Sequence, residues 1–117
     1  MNRAEQPVDL AHLDRYTGGD RALDEEILLL FANQCRESLA RLDEIAAGVV
    51  DAKAWRQATH TLKGAARGVG AFALGDAAAA AEKAGTERES ALAALQRLKH
   101  DSAAVQIFIE QFLKTRV

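Results

Sequence analysis

Within Ala58-Thr59-His60-Thr61-Leu62-Lys63-Gly64-Ala65-Ala66-Arg67, a histidine, a lysine, a glycine and an arginine stand at i, i+3, i+4 and i+7. The rest of this stretch reads as helix. At about 100° per residue, with His60 at zero, Lys63 falls near about −60°, Gly64 near about +40° and Arg67 near about −20°, so all four share one face. Trp55, Ala58, Leu62, Ala65 and Val69 gather within roughly 40° of the opposite direction, as on a helix with one apolar stripe against a core. His60 is therefore expected to point at water or at a partner. An unperturbed imidazole titrates near about pH 6.5, so at neutral pH most of it is the uncharged form, whose free nitrogen can attack a phosphoryl group. Lys and Arg donors beside it would stabilise the charge that arrives, through charge-assisted hydrogen bonds.

A surface histidine one turn from a lysine is common on a solvated helix face. Gly64 sets this group apart, because a glycine in a helix interior costs roughly 1 kcal/mol relative to alanine. Its benefit is a bare spot beside the histidine, where a second protein can approach.

His60-x-Leu62-Lys63-Gly64, followed by Gly70 and Leu74, resembles the signature of the histidine-containing phosphotransfer (HPt) domains of two-component phosphorelays. The resemblance extends upstream to Asp9-Leu10, Leu13, Gly18-Gly19-Asp20 and Leu23 and the long amphipathic stretch ending at Gly48. It implies an all-α fold, an antiparallel four-helix bundle with a short extra N-terminal helix and the active histidine midway along the second bundle helix. It further implies that His60 is the phosphoacceptor, Lys63 the cation that stabilises the phosphate, Gly64 the small residue giving a receiver domain access, and Gly70 the end of the helix. Arg67 departs from the pattern, since many relatives carry a small residue there. It could contact phosphate, tune partner choice or do neither.

The elements that must hold this face follow from caps and periodicity. Asp9 is placed to cap a short helix through about Tyr16, broken by Gly18-Gly19. Asp20 starts a long helix with Leu23, Ile27, Leu30, Phe31, Cys35, Leu42 and Ile45 as its apolar stripe, ending at Gly48. Asp51 caps the motif helix, which runs to Val69 with Gly70 as its stop. An alanine-rich helix from about Phe72 to Ala84 follows, with Leu74, Ala77, Ala78 and Ala81 inward and Gly85 closing it. Thr86 and Glu89 form a capping box for the last helix, whose Ala91, Leu95, Leu98, Ser102, Val105, Ile109 and Phe112 recur at the spacing of a bundle seam.

Composition narrows the class. The 117 residues fit one domain, residues 1–117, with a core that needs no disulfide. Alanine is abundant and proline occurs once, which favours packed helices over sheet. A net charge of −2 gives no basic footprint for nucleic acid or an anionic membrane. No apolar run is long enough to span a bilayer and no leader is evident, so a cytoplasmic protein is expected. The lone Cys35 fits a reducing compartment and reads as a core thiol. His12 and His100 fall on other helices, without zinc-site spacing, and are expected at the solvated surface. No nucleotide-binding loop is present.

The expected function is a monomeric carrier without kinase activity. It takes a phosphoryl group on His60 from a receiver aspartate and passes it to another receiver. Its partners would be receiver domains of response regulators and a hybrid histidine kinase. No cofactor of its own is expected, and the resemblance implies that Mg²⁺ belongs to the receiver. Thr59, Thr61, Ala71 and the exposed part of the first long helix are the expected contact surface. One alternative is a non-phosphorylated helical-bundle adaptor or regulator using the same face to bind a receiver or kinase. Another is a sensor-kinase dimerisation domain, which usually has an acidic residue where Thr61 stands.

Overall fold

A computed structural model describes residues 6–48, 51–84 and 87–115. Among these residues the chain is all-helical: α1 (Leu10–Thr17), α2 (Arg21–Ala47), α3 (Ala52–Val69), α4 (Phe72–Lys83) and α5 (Arg88–Lys114). Aspartates start three of them by accepting backbone N–H groups that have no partner within the helix. Asp9 takes those of Ala11 and His12, Asp20 that of Leu23, and Asp51 those of Lys53 and Ala54. Left-handed glycines stop α1 and α3, with φ of 67° at Gly18 and 93° at Gly70.

Gly70 has a second duty. A Cβ there would stand 2.6 Å from the Asp9 carbonyl oxygen, and the Asp9 N–H donates to Gly70 O at 2.9 Å. The start of α1 is thus sewn to the end of α3, where no side chain fits.

Among the four longer helices, α2 packs on α3 and α5, and α4 on α3 and α5, while α1 rests on α2 and α3. The closest partnership, α3 with α4, rests on small residues, since Gly75, Ala77, Ala78 and Ala81 are all buried. The seam of α5 follows the periodicity, with Ala91, Leu95, Leu98, Ser102, Val105 and Ile109 buried and Phe112 half-buried at its end. Cys35 is fully buried, and burial pushes its thiol up to about 12, which leaves it without thiolate reactivity.

One expectation needs correcting. Leu23 and Leu30 are exposed, at 38% and 64%, and the inward face of α2 is instead Asp24, Leu28, Phe31, Ala32, Cys35, Leu42 and Ala46. Asp24 is accommodated because Thr17 donates to its carboxylate at 2.6 Å, although desolvation and neighbouring Asp14 and Asp20 raise its pKa. The end of α4 falls within one residue of the expected place. Helix α4 ends at Lys83, with Ala84 in the cap position. Helix α5 begins at Arg88 behind Glu87, whose side chain makes no capping bond. The Gly85 stop and the Thr86 capping position lie outside the described residues.

Trp55, the chain's only tryptophan, fixes the roll of α3. It is fully buried, and its Nε1–H donates to Ala81 O of α4 at 2.9 Å. Trp55→Ala should cost about 3–5 kcal/mol, as a large-to-small core change. Chemical denaturation measures this, and the parent's indole emission should be blue-shifted and poorly quenched by iodide. A freely quenched indole would mean that α3 is rolled differently.

Candidate functional site: the His60 face of α3

The buried residues of α3 are Trp55, Thr59, Leu62 and Ala66. They put the inward direction near about −130° on the wheel with His60 at zero, ~50° from the direction that the apolar residues alone indicate. Two consequences follow. Thr59 is fully buried, its hydroxyl donating to the carbonyls of Trp55 and Arg56, so it is no contact surface. Ala71, behind the Gly70 turn, is also fully buried and leaves that surface too. His60 remains outward, its side chain 71% exposed, while Lys63 is drawn toward α4 and half-covered.

What meets Lys63 is Glu82, a residue that sequence reasoning missed. The Glu82 carboxylate is shared: Oε2 lies 2.9 Å from His60 Nδ1, and Oε1 accepts from Lys63 Nζ at 3.0 Å. The Lys63 hydrogen bond, with a smaller contribution from His60, holds Glu82 below the ordinary carboxylate range. At neutral pH the group is therefore ionised, and a carboxylate only accepts. Nδ1 of His60 must supply the hydrogen, so Nε2 of the neutral ring carries the free lone pair. Glu82 thus sets the tautomer and leaves Nε2, with its free lone pair, on the side away from α4. Twenty-two residues separate it from His60; the faint signal was one acid closing an alanine run.

Arg67 does not join this group. Its stem lies over Gly75, where a Cβ would come within 2.8 Å of Arg67 Cγ, and its guanidinium pairs with Asp76 at 3.2 Å. Both residues of that pair are exposed, so it adds little to stability.

On the side of His60 away from Glu82 the surface is bare. Gly64 and Gly68 are exposed, and a Cβ on either would meet nothing within 4 Å. Beyond them opens a groove of about 410 Å³ between α2 and α3, lined among others by Gln34, Glu37, Arg41, Gln57 and Thr61. Helical spacing puts Leu23, Ile27 and Leu30 on the α2 face that carries Gln34 and Arg41. His60 thus stands on a ridge between a charged flank and a bare one.

The Hpt domain family model matches residues 26–113, which takes in α3, α4 and nearly all of α2 and α5. The chain belongs to the Hpt domain family. No curated protein and no solved structure matches it. Hpt domains are phosphocarriers rather than kinases, and membership places the chain in the phosphotransfer of two-component phosphorelays, with receiver domains and kinases as the family's partners. No helix among the described residues is long and apolar enough to cross a membrane, and no cluster of side chains there is arranged to hold a metal ion.

The other two histidines differ from each other. His100 is exposed as expected. His12 is half-buried, packed edge-on against Tyr16 and Phe72 with its Nε2 buried and unpaired, so its surface assignment does not hold.

Proposed function

We propose that this Hpt protein is a histidine phosphocarrier that shuttles a phosphoryl group between receiver-domain aspartates through a phosphohistidine at His60 Nε2. The observation that carries the reading is the exposed ring held by Glu82 with its nucleophilic nitrogen outward, one turn from Lys63 and from the bare surface at Gly64. Such transfer is mainly positioning and charge neutralisation. His60 Nε2 attacks the phosphorus of the receiver's aspartyl phosphate; the N–P bond forms as the P–O bond breaks, and the aspartate leaves with its electron pair. Mg²⁺ and the acidic pocket are the receiver's contribution, and the carrier adds no cofactor. The apolar side chains of Leu23, Ile27 and Leu30, with Gly64, Gly68 and Thr61, form the docking surface. Arg67 and Asp76 at the opposite rim tune partner choice by charge. The helices serve this as an antiparallel four-helix bundle, α2 to α5, with α1 as the short extra helix, in a monomeric cytoplasmic protein.

Incubation with a phosphorylated receiver domain tests the reading. The expected result is acid-labile, base-stable label on His60. A stable complex with the receiver but no label would instead favour an adaptor that uses the same face.

Lys63 becomes the phosphate's cation once the group arrives. Lys63→Ala should slow transfer or shorten the life of the phosphohistidine without abolishing labelling, since one charge-assisted hydrogen bond is worth about 1.5–3 kcal/mol and the nucleophile remains. Rapid-quench transfer rates and the decay of isolated phosphoprotein measure both. Unchanged values would make Lys63 only a tether for Glu82.

A further inference from the structure

We propose that Glu82 keeps the Nδ1 proton on the His60 ring while Nε2 carries the phosphoryl group, so that the ring can depart from phosphorus as a neutral imidazole. Glu82 is then the positioning residue that keeps the carrier reversible. The inference rests on the phosphocarrier reading and concerns what the shared carboxylate does after phosphorylation.

The reaction balance sets the requirement. The resting ring enters with a hydrogen on Nδ1 and a lone pair on Nε2. Forming the N–P bond uses that lone pair, and the phosphorylated ring becomes cationic. If the Nδ1 proton were lost to water, the ring could leave phosphorus only as an imidazolate, a far poorer leaving group. If the proton stays, the N–P electron pair returns to Nε2, the P–O bond forms on the next receiver, and the neutral ring is restored with its hydrogen still on Nδ1. No proton need enter or leave in either direction.

The geometry supplies the means. Glu82 Oε2 stands 2.9 Å from Nδ1, where a negative charge favours the cationic ring and accepts its hydrogen. Its other oxygen holds Lys63 at 3.0 Å. A lysine ammonium is a point charge on a flexible stem, so an arriving phosphoryl group draws Lys63 off Oε1 toward its own oxygens. The full carboxylate charge then falls to the ring, and the hydrogen bond at Nδ1 strengthens when it is needed. Other charges around the ring do not replace this one: Arg56, one turn earlier on the same face of α3, is a cation and accepts no hydrogen. Arg67 is occupied by Asp76, and Glu37 and Arg41 of α2 line the groove beside Thr61 as one charge of each sign.

Glu82→Gln and Glu82→Ala in the full chain separate the parts. Glutamine keeps an accepting oxygen without charge; alanine removes both. Nitrogen-15 NMR of the unphosphorylated proteins should find the hydrogen on Nδ1 in the parent, largely retained in Glu82→Gln and redistributed in Glu82→Ala. Each phosphoprotein, prepared with phosphoramidate, is then mixed with a receiver domain across about pH 6 to 9. Losing an adjacent carboxylate should bring the alkaline fall in transfer rate about one pH unit earlier in both variants, roughly tenfold slower transfer on that limb. Circular dichroism confirms that both variants fold. A parent that takes no label overturns the phosphocarrier reading and this proposal with it. A labelled parent whose pH profile is unchanged in both variants overturns the proposal alone, as does a ring hydrogen that sits on Nε2 in the parent.

Discussion

His60→Gln should fold as the parent does and take no phosphoryl group, from a phosphorylated receiver or from phosphoramidate. Stability should change by no more than about 0.5 kcal/mol, because the side chain is largely solvated and makes a single polar contact. That contact is not orphaned by the change: Glu82 retains Lys63 at 3.0 Å, and a glutamine amide at position 60 can still donate to it. The loss of acceptance should be complete because neither other histidine has the required surroundings. His12 has its Nε2 buried beneath aromatic rings, closed to a phosphodonor. His100 is exposed but lies on α5, away from the Glu82–Lys63 pair that flanks His60. Phosphopeptide mapping of parent and variant decides the matter, and residual label at His100 would remove His60 from its role.

How much of this could be read from the chain depends on the range of the interaction involved. The capping aspartates, the glycine stops and the outward turn of His60 are matters of neighbours within about one helical turn, and there the spacing of residues predicts what the structure has. Across helices it fails in instructive ways. Thr59 reads as polar and therefore exposed, yet its hydroxyl is satisfied by its own helix at Trp55 O, so burying it leaves no polar group unpaired. Asp24, absent from the apolar stripe of α2, is buried because it finds Thr17 across the Gly18-Gly19 turn, while Leu23 and Leu30 face out. Glu82 and Asp76 became partners of the motif only when α4 was laid against α3. Their register is set by Gly75 and by alanines whose lack of side-chain detail is uninformative in sequence. The outward histidine was thus legible and the carboxylate bonded to it was not.

Gly64→Gln should move stability and function in opposite directions. Gly64 has ordinary helical dihedrals, since positive φ among the described residues occurs only at Gly18, Gly19 and Gly70. With open space around its Cβ position, the substitution exchanges a poor helix former for a good one, and the isolated protein should gain up to about 1 kcal/mol. The same side chain then projects from the bare flank one turn from His60, where the receiver must bring its aspartyl phosphate within reach. Displacing reacting groups by about 1 Å can cost roughly a hundredfold in rate, so transfer to and from the receiver should collapse. Phosphoramidate is small enough to pass a glutamine side chain and should label the variant at a rate close to the parent's. That contrast separates a docking defect from a damaged nucleophile, because Glu82 and Lys63 lie on the other flank of the ridge and are untouched. Gly68→Gln, one turn further along the same bare strip, should show a milder version of the same split. If Gly64→Gln unfolds the protein, the glycine serves packing that its open surroundings do not reveal; if transfer proceeds normally, no receiver docks on this flank.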